Sequence, residues 1–193
     1  MNAILFNCSP HKKGNTFSML NALKKSLEAN GIDAEIMQVG GEKIAPCKAC
    51  GACGKLRNKK CVFDNDILNS AAAKAYEADA IIIGSPTYYA AMTPEAKALI
   101  DRTGFVNFNN GGELLRGKVG AAVVAQRRGG ATSVFSSINF FFLMSQMIVQ
   151  GSTYWNIGFG LEQGDVDEDA EAMSNMKNLG ENIAALLKKL HSK

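Results

Sequence analysis

Four of the chain's five cysteines stand at Cys47, Cys50, Cys53 and Cys61, spaced C-x2-C-x2-C-x7-C. Thiolate sulfur suits iron–sulfur clusters and zinc. Three thiols three residues apart converge if the loop curls, and Gly51 and Gly54 permit that curl. Zinc sites more often use two separated C-x2-C pairs, whereas a close triple with a distant fourth is nearer to four-iron ferredoxin spacing. The run 47–61 also carries Lys48, Lys55, Arg57, Lys59 and Lys60 and no acid, a setting that suits an anionic cluster. A cluster, a zinc ion and free thiols are the three readings of this loop. Cys8, alone after an apolar run, reads as a small buried residue.

Three other stretches carry residues suited to binding. In CSPHKKGNT (8–16), the hydroxyls of Ser9 and Thr16, Asn15 and the amides of a helix start are donors suited to a phosphate, and Gly14 makes the loop flexible. Lys12 and Lys13 add positive charge, and His11 reads as an exposed polar residue. Neither G-x4-G-K-[ST] nor G-x-G-x-x-G is present, which argues against a P-loop and a dinucleotide fingerprint. In GSPTYYAAM (84–92), Pro86, Thr87, Tyr88, Tyr89 and Ala90 suit a planar ring whose polar edge is read by backbone groups. In QRRGG (126–130), Arg127, Arg128 and Gly129 follow an apolar run, either beside that ring or on a solvated turn. A phosphate loop followed by an aromatic loop suggests a mononucleotide with an extended ring, and flavin mononucleotide (FMN) matches that description.

These loops need a scaffold, and the order of patterns supplies one. Short apolar runs at 3–7, 34–39, 80–85 and 119–125 read as buried strands, with a fifth expected at 152–158. Helical patterns fall at 15–30, from Asp66 through Ala75, from Pro94 through Arg102, at 132–149 and at 167–190. Strand and helix alternating five times predict an α/β fold, a doubly wound parallel sheet with helices on both faces. Ligands of such sheets sit at the carboxyl ends of the strands, where the three loops fall. No repeat or linker breaks the chain, so residues 1–193 read as one domain.

The bulk values exclude some classes. The chain has 193 residues, 47% hydrophobic and 20% charged, with a net charge of +3, too small to argue for nucleic acid. No stretch approaches the ~20 apolar residues of a membrane span, and the N-terminal apolar run is shorter than a signal peptide needs. A soluble cytoplasmic protein, with no membrane and no nucleic-acid partner, is the expectation.

With SPHKKGNT after strand one and GSPTYYAAMTPEAKALIDR after strand three, the sequence resembles the NADPH-dependent FMN reductase family of flavodoxin-like proteins. The cysteine loop resembles its iron–sulfur flavoprotein branch. The resemblance covers roughly residues 1–130 by landmarks and the rest by element order. It implies a five-stranded sheet of order 2-1-3-4-5 with FMN at the switch in strand order. Ser9, Gly14, Asn15 and Thr16 would hold the phosphate, Pro86 to Tyr89 would border the ribityl chain and ring, and the 125–132 loop would close the other side. Tyr88 is the candidate to hydrogen-bond near the ring. Cys47, Cys50, Cys53 and Cys61 would hold a 4Fe–4S cluster, although the last gap is longer than the branch's usual one. NAD(P)H is the candidate reductant, and a redox partner protein or a small electron acceptor the candidate partner. A homodimer or homotetramer is implied, and INFFFLMSQMIV (138–149) is apolar enough to be a subunit interface or a well-buried helix. The rivals are a cluster-free NAD(P)H-dependent reductase of flavins, quinones, nitro or azo compounds, and a zinc-stabilised interaction domain without enzymatic activity.

Overall fold

The computed structural model describes residues 1–192. Its sheet has the order β2-β1-β3-β4-β5 and every strand pairing is parallel. The strands are β1 (Asn2–Asn7), β2 (Asp33–Gln38), β3 (Ala80–Pro86), β4 (Val119–Gln126), β5 (Ile148–Val149) and β6 (Ile157–Phe159). The helices are α1 (Asn15–Ala29), α2 (Ala52–Leu56), α3 (Leu68–Glu77), α4 (Pro94–Asn109), α5 (Ala131–Met144) and α6 (Ala170–His191), with a 3-10 turn at Asp165–Glu168. This is the doubly wound parallel sheet that the alternation predicts, in the strand order that the resemblance implies.

Alternating side chains feed two cores. Ile81 and Ile83 of β3 join Ile4, Phe6 and residues of α3, α4 and α5. Ile82 joins Leu5 and residues of α1 and α6 on the opposite face. A strand buried on both faces reads as one continuous apolar run, which is why AIIIGS carries the strongest strand pattern. The outer helices approach closely: a Cβ on Gly180 would fall 2.5 Å from Ser26 Cβ.

The expected fifth strand at 152–158 is corrected to two short segments. Helix α5 stops at Met144, and the end of the apolar run becomes β5, paired with Val119 and Gly120. β6 pairs with Val124 to Gln126, further along the same edge. Between them the chain bulges out, and polar groups cover the gap. Asn156 Nδ2 donates to Ala122 O at 3.0 Å, and Val124 N donates to Asn156 O at 2.9 Å. The carbonyl that a continuous strand would pair thus finds a side-chain amide. Helix α4 runs past Arg102 to Asn109, and the last helix begins at Ala170, capped by Asp169, whose carboxylate accepts from Ala172 N at 3.0 Å.

Candidate functional site

The loops after β1, β3 and β4 meet at the carboxyl edge of the sheet. They enclose a cleft of about 400 Å³ lined by Ser9, Gly14, Asn15, Thr16, Pro86, Thr87, Tyr88 and Arg127, together with Gly160 to Gln163. Eight predicted residues therefore converge. Gly129 lines a hollow beside it with Thr87, Arg127 and Arg128. Three predicted residues line neither of them. Lys12 is exposed and pairs with Glu42 at 3.4 Å. Tyr89 projects fully into solvent, and Ala90 is also exposed.

The first loop is built as an anion cradle. Helical bonding in α1 begins with Ser18 N donating to Gly14 O at 3.0 Å, which leaves the amides of Asn15, Thr16 and Phe17 without helical acceptors. Thr16 is 1% exposed, yet its Oγ1 has no hydrogen-bond partner among the described residues. Gly14 is needed for space, not for an unusual conformation. Its φ is −80°, and a Cβ there would lie 2.9 Å from His11 Cβ. The Asn15 side chain departs from expectation, since it turns to the 160–166 segment. Its Nδ2 donates to Glu162 O at 2.9 Å, and its Oδ1 accepts from Gly164 N at 3.0 Å and Val166 N at 3.4 Å.

The second loop is strained. Tyr88 and Ala91 exchange two backbone hydrogen bonds of 2.9 Å around Tyr89 (φ 49°) and Ala90 (φ 60°). Two successive non-glycine residues with positive φ are costly, and such conformations persist where surrounding structure enforces them. The loop after β4 supplies that enforcement. A Cβ on Gly130 would stand 2.9 Å from Ala90 Cα, so the two loops touch backbone to backbone. Thr87 Oγ1 is a second buried hydroxyl without a partner among the described residues. Arg127 and Arg128 are exposed and make no ion pair among the described residues.

The cysteine loop lies off the end of β2 and is held by side chains of other elements. Positive φ at Ala49, Gly51, Arg57 and Lys59 curls it, and Cys47, Cys50, Cys53 and Cys61 line one small hollow of about 20 Å³. No three metal-ligating side chains stand at metal-holding geometry among the described residues. The keystone is Arg102, buried on α4 and ion-paired with buried Asp66. Its guanidinium donates to Ala45 O at 3.0 Å, Phe63 O at 2.8 Å and Cys61 Sγ at 3.3 Å. One side chain thereby ties both ends of the loop. Burial pushes the Asp66 carboxyl up, but the Arg102 hydrogen bond and the amides of Ala45 and Leu68 outweigh it, so it lies below its ordinary range. Asn69 brackets the Cys61 backbone, accepting from its N–H at 2.8 Å and donating to its carbonyl at 2.9 Å. Burial pushes the Cys53 thiol up.

Arg102, Asn69 and the 160–166 segment escape a search for motifs. Arg102 left one trace: it falls in register with Leu99 and Val106, an arginine among the apolar positions of α4. Asp66 serves the loop, and accepts from Leu68 N at 3.1 Å just before α3. A larger hollow, about 800 Å³, lies away from the cleft, between Asn58 to Lys60 of the cysteine loop and Asp79, Lys118 and His191, and gathers none of the predicted site residues.

Residues 1–162 match the family described as NADPH-dependent FMN reductase. The chain belongs to that family. The match extends past residue 130 to the 160–166 segment, beyond the landmarks legible in the sequence. Among curated relatives of this FMN reductase family member, an iron-sulfur flavoprotein of Methanocaldococcus jannaschii is 32% identical, the alignment covering 97% of this chain and 98% of the relative. Two solved structures show the same fold. RosB with a bound 8-demethyl-8-formylriboflavin-5'-phosphate has a TM-score of 0.75 at 18% identity, covering 98% of this chain and 80% of its own. A flavodoxin from the domain Archaea has a TM-score of 0.64 at 20% identity, covering 97% and 99%. The family makes this chain a flavin-dependent oxidoreductase. No helix among the described residues is long and apolar enough to cross a membrane.

Proposed function

We propose that this oxidoreductase is an iron–sulfur flavoprotein that holds FMN in the cleft at the sheet edge and a 4Fe–4S cluster on Cys47, Cys50, Cys53 and Cys61. The observation that carries the FMN seat is the Thr16 hydroxyl, buried and unpartnered at the start of α1. A buried hydroxyl without a partner costs on the order of 1–3 kcal/mol, and a phosphate oxygen would satisfy it. The free amides of Asn15, Thr16 and Phe17 add donors at the same place. Ser9 and Gly14 shape the loop, while Pro86, Thr87 and Tyr88 border the ribityl chain and ring. Tyr89 and Ala90 act through the turn that orients Tyr88. Arg127 puts positive charge at the ring's other side, with Arg128 and Gly129 beside it, which favours negative charge on the reduced flavin.

The cysteine loop suits a cluster by its donor set: four thiols around one hollow, with Arg102 already donating to Cys61 Sγ. When bound, FMN supplies two-electron and the cluster one-electron chemistry. The chain's own residues seat the phosphate, wall the ring and tie the loop to α4. NAD(P)H is the reductant class suggested by the family, and the acceptor is a redox protein or a small molecule. Exposed Phe105 and Phe108 on α4 and Phe140, Leu143 and Met144 on α5 support assembly with further copies of the chain.

The deciding experiment is anaerobic purification with an absorbance spectrum, then iron, sulfide and flavin analysis. Four irons and one FMN per chain are expected, and Cys50→Ser should lose the iron while keeping FMN. FMN without iron after reconstitution leaves the cluster-free reductase. Zinc without flavin leaves the interaction domain.

A further inference from the structure

The segment Gly160–Val166 crosses the mouth of the cleft at its α1 end and is staked there. Gly160 N donates to Gln126 O at 2.9 Å, tying its start to the end of β4. Asn15 holds its middle through the three bonds to Glu162, Gly164 and Val166. Asp165 Oδ2 accepts from Leu161 N at 2.9 Å and Glu162 N at 2.8 Å, so the segment is also braced internally. Gly160 has no space for a side chain, since a Cβ would fall 2.4 Å from Asn15 Nδ2. An asparagine at the first position of a helix spends its whole side chain on this strap and none on the cradle.

We propose that the strap Gly160–Val166, staked by Asn15, makes the site select a flavin monophosphate over a flavin dinucleotide; this rests on the FMN seat proposed above. A monophosphate ends at Thr16 and the α1 amides. A dinucleotide continues from that phosphate through a second one to adenosine, and beside Gly14 and Thr16 the cleft is lined by the strap residues Gly160 to Gln163, Glu162 among them. The like charge repels a second phosphate and the fixed backbone blocks the chain beyond it. Lys12 does not offset the charge of Glu162, because it is turned to Glu42 at 3.4 Å. Selection by an obstruction that both shape and charge supply is discrimination against the wrong ligand, with no added contact to the right one.

Full-length protein is titrated with FMN and with FAD by flavin fluorescence quenching. The parent should bind FMN at least about tenfold more tightly than FAD. Asn15→Ala should narrow that ratio about tenfold by unstaking the strap, and Glu162→Gln should narrow it in part through FAD alone. Circular dichroism checks that Asn15→Ala folds; if it does not, Glu162→Gln decides. A parent that binds FAD as well as FMN, or variants with an unchanged ratio, overturn the strap's role while leaving the flavin seat. A parent that binds neither flavin removes the seat itself.

Discussion

The flavin cleft and the cysteine loop are positioned by different means. The cleft is assembled from strand ends. β1, β3 and β4 are buried on both faces, and the loops that follow them inherit their positions from the sheet. The cysteine loop hangs beyond the end of β2, with a five-residue helix as its own regular structure. Its shape depends on side chains from elsewhere, above all Arg102 and Asp66, whose attraction operates between buried groups. A site on strand ends tolerates the loss of one side chain, whereas a loop held by a buried ion pair does not.

The sharpest way to break that contrast is Arg102→Met. It leaves Asp66 buried without its cation, and losing one partner of a buried pair costs about 3–5 kcal/mol. Denaturant unfolding should show that loss, and iron binding should fall with it. FMN affinity of the folded fraction should hold, because no cleft residue touches Arg102. If iron loading survives with parental stability, the keystone role is wrong.

Thr16→Ala attacks the cleft. Loss of one hydrogen bond to a charged phosphate should weaken FMN by about 1.5–3 kcal/mol in a titration, with iron content unaffected. Affinity equal to the parent's would remove the phosphate from Thr16.

Acid tests the ion pair that holds the cysteine loop. The Asp66 carboxyl is held below its ordinary range in the fold, so its contribution is complete above the unfolded value and is lost as pH falls through the folded one. Below about pH 4 the parent should lose stability with a slope that Asp66→Asn flattens. An identical acid limb in both proteins would show that Asp66 carries no such linkage.

The smallest effect concerns Arg127 and Arg128, whose exposure screens them. The FMN midpoint potential should drop in Arg127→Gln or Arg128→Gln. No change in either would place both arginines on a turn that the flavin does not feel.

Much of the fold was legible because its signals are local. AIIIGS is a buried strand wherever it folds, and Thr93-Pro94 starts a helix, with the Thr93 side chain accepting from Ala96 N at 3.3 Å. The split edge was not legible, since Ile148–Val149 reads as the tail of an apolar helix until β4 presents an unpaired edge to it. Glycine chemistry was half legible: Gly14 suggested a flexible loop, but what it relieves is contact with His11.

From its own residues the sequence determined the alternation of strands and helices, the three loops at their ends, and the four thiols with their basic surroundings. Periodicity, glycine and charge act over a few positions, and they can be read without knowing neighbours. Only the tertiary structure decided that Thr16 is buried without a partner, that Asn15 faces a segment some 150 positions away, and that Arg102 closes the cysteine loop. Those are facts of proximity between distant parts of the chain. A polar side chain's role depends on which donors and acceptors packing brings within 3 Å of it, and no local pattern records that.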